Sequence, residues 1–124
     1  MDDILSHQRI NLAGDDNGSA GRSRDTTVYF IRPELMQILN IYGRLVAAGE
    51  WRDYAIDHLK DRAVFSVFRR ASDMPHYRII KEPALANQQG AWKIIGANGQ
   101  TLKRGKQLAQ LLRYFDRLML KAVT

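Results

Sequence analysis

The chain contains no cysteine. That excludes disulfide staples, thiolate metal sites and cysteine nucleophiles, and nothing argues for an oxidising compartment. Proline is scarce too: Pro33, Pro75 and Pro83 are the three in the chain, and each falls where an element is expected to start or turn. No apolar run approaches the roughly 20 residues that span a bilayer. The opening residues, MDDILSHQRINLAGDD, begin acidic and lack the basic and apolar regions of a secretory signal. The expected location is cytoplasmic, with no membrane association. P-loop and dinucleotide-binding glycine patterns are missing, as is any serine or threonine nucleophile motif. The reading therefore leans against an enzyme and implies no cofactor.

What is present suits one small globular domain. At 124 residues, with 45% hydrophobic and 26% charged residues, the chain can build a single modest core without cross-links. Its formal net charge of +6 is uneven. From Thr101 onward Lys103, Arg104, Lys106, Arg113, Arg117 and Lys121 face a single acid, Asp116. A basic C-terminal element fits nucleic acid, an anionic surface or an acidic partner; the plain alternative is charge that only keeps the protein soluble.

Residues 1–26 read as a tail. Its stretch AGDDNGSAGRSRDTT has no large apolar residue to offset the entropy of ordering it. Ile4, Leu5, Ile10 and Leu12 precede that stretch as candidates for a transient helix or a docking peptide. The domain is expected over residues 27–121. Val28 to Ile31 has strand propensity. A helix follows, opened by Pro33 and Glu34, carried by Leu35, Ile38, Leu39, Tyr42, Leu45 and Val46, and stopped by Gly49. Trp51 to Leu59 fits either periodicity. The close follow-on of RAVFSVF favours a hairpin, hence a strand.

Ala63 to Arg70 is apolar on both sides of the pleat, which calls for cover above and below. Ser72 to Pro75 turns the chain into Tyr77–Lys81. Trp92 to Ile95 is a further strand, and Asn98-Gly99 in ANGQ suits a type I′ hairpin. Leu108, Leu111, Leu112, Phe115, Leu118 and Met119 form a second helical stripe. Together these describe an α+β domain: an antiparallel sheet of about five strands, meander plus hairpin, flanked by two amphipathic helices. Cover of opposite faces is the first expectation. Trp51 and Trp92 belong in the core.

Three groups of residues could carry function. Asp53, Asp57 and Asp61 recur every fourth residue beside His58, a weak carboxylate pattern that most often marks a solvated edge. If Ser72 to Pro75 form the loop, Arg69 faces Arg78 across strands, with His76 alongside. Like charges so placed repel unless solvent, an acid or a bound anion intervenes, which makes Arg69, His76 and Arg78 a candidate phosphate or carboxylate seat. Finally, Lys103, Arg104, Lys106, Arg113, Arg117 and Lys121 form a candidate basic partner face. Aromatic residues for base stacking are sparse around it, and no RNA-recognition, zinc-finger or KH motif is present.

The stretch VYFIRPELMQILNIYGRLVAAGEWRDYAIDHLKDRAVFSVFRRASDMPHYRI, followed by TLKRGKQLAQLLRYFDR, resembles a family of short alphaproteobacterial proteins defined as a domain of unknown function. The likeness runs from Val28 to Arg117 and implies a bacterial, cytoplasmic protein; it supplies no substrate and no site. A second resemblance concerns shape. The order helix, meander, hairpin, helix is similar to that of the Src-homology phosphotyrosine-binding fold, and His76-Tyr77-Arg78-Ile79 looks like that family's His-Tyr-Lys-Ile strand, whose His and Lys line the phosphate pocket. Arg32 lies roughly where its early helix contributes another base. The arginine of the family's Phe-Leu-Val-Arg run, which grips the phosphate, falls on Asp57, so that resemblance extends to topology alone.

The functional expectation is a non-enzymatic binding or adaptor module using a basic face toward an acidic or phosphorylated partner. A nucleic-acid-binding accessory protein using the last helix is the alternative. A small ligand-binding domain or enzyme with scattered site residues is the third.

Overall fold

The computed structural model describes residues 26–70 and 74–123, with side chains as far as Leu120. The expected tail up to residue 25 lies outside the described residues, as do Ser72 and Asp73 of the turn expected over Ser72 to Pro75.

Helix α1 spans Arg32–Ala47, with Pro33 in its first turn. Glu34 turns back to accept the Ile31 N–H at 2.9 Å, and an acid at this position also meets the positive end of the helix dipole. At the other end Gly49 takes φ 81°. That conformation lets its N–H reach Val46 O and the Glu50 N–H reach Leu45 O, the paired bonds that close a helix after a left-handed residue.

Five strands follow: β1 (Asp53–His58), β2 (Ala63–Phe68), β3 (Tyr77–Lys81), β4 (Trp92–Gly96) and β5 (Thr101–Gly105). They form one antiparallel sheet in the order β1-β2-β3-β4-β5. Trp51 to Leu59 thus contributes a strand, as the hairpin argument expects. Val28 to Ile31 does not: its Val28 N–H bonds Leu59 O at 2.8 Å, but the segment forms no strand. Between β4 and β5 the loop is Ala97 to Gly99. Gly96 donates to Gln100 O and Gly99 donates to Gly96 O, with Gly99 at φ 86°. This is the three-residue hairpin with a left-handed glycine last, in place of the two-residue type I′ turn expected.

The chain ends in α2 (Leu108–Leu112), a 3₁₀ turn (Arg113–Phe115) and α3 (Asp116–Val123). The apolar stripe expected to form one helix is therefore bent by a tighter turn at its middle.

Registry sorts the sheet into two faces. Ile56 pairs with Phe65, Phe65 with Ile79 and Ile79 with Ile94. These residues form one cluster with Ile38 and Leu45 of α1 and with Leu108, Leu111, Leu112 and Phe115 of the C-terminal segment. Both ends of the domain thus cover the same face, and α1 touches α2 and α3 as well as the strands. Opposite-face cover is not what forms. Val64, Ile80 and Ile95 on the second face cluster by themselves. Short hairpin connections deliver both flanking segments to one side, and three apolar residues are enough to make the other side look buried in sequence.

Aromatic rings knit the covered face. Trp51 meets Phe115 edge-on at 4.9 Å, Tyr77 meets Phe115 at 5.2 Å, and Tyr54 stacks on Phe65 at 5.0 Å. Trp51 and Trp92 are both buried, as expected. At the rim Lys81 Nζ donates to Tyr29 O and to Glu34 Oε1, each at 2.7 Å, which pins the start of α1 over the end of β3. At the far side Gly90, at φ 103°, lies against Gly105 so closely that a Cβ on Gly90 would stand 2.4 Å from Gly105 O.

Candidate functional site

Edge strand β5 and the turn between α2 and α3 enclose a cleft of about 530 Å³. Lys103 and Arg104 come from the strand, Arg113 from the 3₁₀ turn and Arg117 from α3; Leu111 and Tyr114 add apolar surface. The sequence places these cations together for two reasons. Lys103 pairs with Ile94 and so shares the helix-covered face. Arg113 and Arg117 are four residues apart, one helical repeat, and stay exposed while Leu112 and Phe115 turn inward.

Among the described residues no carboxylate lines the cleft. Among the described residues the ion pairs are Lys81–Glu34 at 2.7 Å and Lys93–Glu82 at 3.0 Å, and neither involves a cleft cation. Arg117 lies over the Tyr114 ring, 5.0 Å from its centroid, a contact that orients the guanidinium at modest cost. Arg104 stands opposite Lys93 across β4, and the Glu82 carboxylate held by Lys93 offsets that like-charge pairing.

Of the expected partner face, Lys103, Arg113 and Arg117 are brought together, while Arg104 borders the cleft from the edge strand, in register with Lys93 of the second face. Lys106 is exposed in the bend before α2 and is not among the lining residues. Lys121 lies in α3, its side chain outside the described residues.

The second candidate group divides. Strand β2 ends at Phe68, and the His76 N–H already bonds Val67 O at 2.7 Å. The register that follows sets Arg78 opposite Ser66, not opposite Arg69. Arg78 therefore projects from the second face, and the like-charge pair that motivated an anion seat does not form. Arg69 and His76 do stay neighbours. Burial pushes the His76 pKa below the ordinary imidazole value, the Arg69 charge pushes it further down, and Glu50 opposes them.

Tyr77 links this corner to the cleft. Burial raises its pKa first, and Tyr114 adds to that; Arg117 and Arg69 both act to lower it. One phenol thus feels a cation from the cleft and one from the β2 end. Sequence reasoning misses Tyr77 as a junction. The only signal for it is the Tyr-x-x-Arg spacing of Tyr114 and Arg117, which marks where a cation will cover a ring.

The carboxylate series does not converge. Asp53 and Asp57 are two pleats apart on β1, about 13 Å at strand spacing. His58, on the other side of the strand, packs its ring 4.8 Å from Tyr29. Among the described residues no group of three potential metal ligands occurs, and no helix is long and apolar enough to cross a membrane.

A family model described as protein of unknown function (DUF2794) matches residues 28–112. No curated protein and no solved structure matches the chain.

Proposed function

The chain belongs to that family of unknown function, and on the chemistry of its surface we propose that it is a non-enzymatic binding module whose basic cleft takes an acidic or phosphorylated segment of a partner protein. The observation that carries this reading is the cleft itself: Lys103, Arg113 and Arg117 converge on it, Arg104 borders it from the edge strand, and among the described residues no carboxylate lines it. Guanidinium forks match carboxylate and phosphate oxygens, so Arg113 and Arg117 supply directional donors while Lys103 acts as a mobile point charge. The half-buried ring of Tyr114 offers an apolar patch for the segment's side chains. Charge complementarity of this kind speeds encounter and selects against basic partners more than it deepens affinity.

One observation favours nucleic acid as the second reading. Tyr114 is half-buried at the cleft, where a ring can stack on a base. Arg117 already lies over that ring, which weighs toward the peptide.

Fluorescence anisotropy separates the two. The probes are a labelled Glu-rich peptide, the same peptide carrying phosphoserine, and a single-stranded oligonucleotide, each at two salt concentrations. The peptides should bind, and the R113E/R117E double variant should lose at least tenfold in affinity with its circular dichroism unchanged. Tighter oligonucleotide binding, weakening by about 0.7 log unit per phosphate contact per tenfold salt, would establish the second reading. Binding of all probes unaffected by the double variant would refute both.

A further inference from the structure

The face of the sheet away from the helices bears a small apolar cluster of its own, whose members are buried. Val64, Ile80 and Ile95 form a cluster there that includes no helix residue. Beside it runs a groove of about 480 Å³, with Leu59, Phe68 and Ala55 on its walls and Asp57, Arg62 and Arg78 at its polar positions. Leu59 is 40% exposed. Among the described residues no helix packs on this face.

The chain itself arrives at this groove. Val28 N–H bonds the carbonyl of Leu59, a groove residue, at 2.8 Å, so residues 1–25 join the domain close to one end of it. That segment holds four large aliphatic residues, Ile4, Leu5, Ile10 and Leu12, directly after the acidic pair Asp2-Asp3. The stretch 13–25 between them and Thr26 is rich in Gly, Ser, Asn and Asp. Thirteen residues of such composition reach roughly 20 Å root-mean-square, and a six-residue strand is about 20 Å long. The whole groove is therefore within the tether's range, at an effective concentration on the order of millimolar. A weak intrinsic affinity suffices at that concentration.

We propose that residues 4–12 of this chain seat in the groove on the helix-free face, with their aliphatic side chains against Phe68, Ala55 and the Val64 cluster and with Asp2 and Asp3 toward Arg62 and Arg78. A groove of this volume accommodates a few aliphatic side chains. The acids at the front of the segment complement the two arginines. The chain thereby covers its second face with its own residues, and the basic cleft on the other side stays free for a partner.

The absence of cysteine makes the test clean. In the full chain, Ser6→Cys carries a nitroxide, and methyl spectra report Val64, Ile80 and Ile95 against Ile38 and Ile79 on the helix side. The expected result is strong broadening of the first three only. It should be independent of protein concentration and reversed when Leu5→Asp and Ile10→Asp are added. Uniform or absent broadening overturns the proposal. So does broadening that appears only when labelled and isotope-enriched chains are mixed, which would assign the face to a second copy.

Discussion

Replacing Gly90 with alanine tests how β5, and with it the basic cleft, is held. Gly90 has φ 103°, and a Cβ there would stand 2.4 Å from the carbonyl oxygen of Gly105 and 2.6 Å from its carbon. Two costs add. A left-handed backbone costs an L-residue about 1–2 kcal/mol. Ordinary contact begins near 3.4 Å, so one backbone must yield by roughly 1 Å, which overpacking data place at about 1–3 kcal/mol. The sum is about 2–5 kcal/mol, a large share of the 5–15 kcal/mol by which a domain is typically stable.

Gly99 is the internal control. It has φ 86° but nothing within 4 Å of its missing Cβ, so Gly99→Ala should show the backbone cost alone, about 1–2 kcal/mol. Urea unfolding at constant slope reads both. Gly105 also lines the cleft, so Gly90→Ala should weaken binding of the acidic probe, whereas Gly99→Ala should not. Equal destabilisation by the two substitutions would show that the Gly90–Gly105 approach is not a structural constraint.

Three further outcomes follow from the same geometry. Phe115→Ala should cost about 3–5 kcal/mol by denaturant titration, because the ring is fully buried where Trp51, Tyr77 and the C-terminal segment meet; a cost under about 1 kcal/mol would contradict that packing. Glu34→Gln should cost about 2 kcal/mol, since it removes the carboxylate held by Lys81 at 2.7 Å, and a double-mutant cycle with Lys81→Met should recover most of that as coupling. His76 titrates below the ordinary value of 6.5 through burial and Arg69. The fold therefore favours its neutral form, and that stabilisation is complete above pH 6.5 and lost as the pH falls through 6.5 toward the folded-state value. His76→Gln should flatten the pH dependence in that window, and Arg69→Gln should raise the imidazole pKa in an NMR titration.

How much of this was legible depends on where the information resides. The α1 helix could be read because its period, its opening Pro33 and its closing Gly49 are all local. The strand at Trp51 to Leu59 followed from a turn too short for anything else. Val28 to Ile31 has the composition of a strand but forms none, and propensity cannot say whether a strand partner exists. The placement of both helices on one face was not readable, because Val64, Ile80 and Ile95 look like core in a one-dimensional pattern whatever covers them. The Arg69–Arg78 pairing failed on register alone: β2 ends at Phe68 and Arg78 stands across from Ser66. The cleft was half visible. Charge asymmetry marked its cations, while the joining of β5 to the 3₁₀ turn is a tertiary event that no spacing encodes.

Every strand in the sheet pairs with its sequence neighbour. Such a ladder can zip from one hairpin to the next, with little loop entropy spent on distant encounters. The exception is the hydrophobic lid, in which residues near 38–45 meet residues near 108–115 only after the intervening chain has been made. During synthesis on a ribosome, the greasy side of the sheet therefore stays uncapped until the last turn emerges. A chain truncated before Leu108 should expose that side and require chaperone protection.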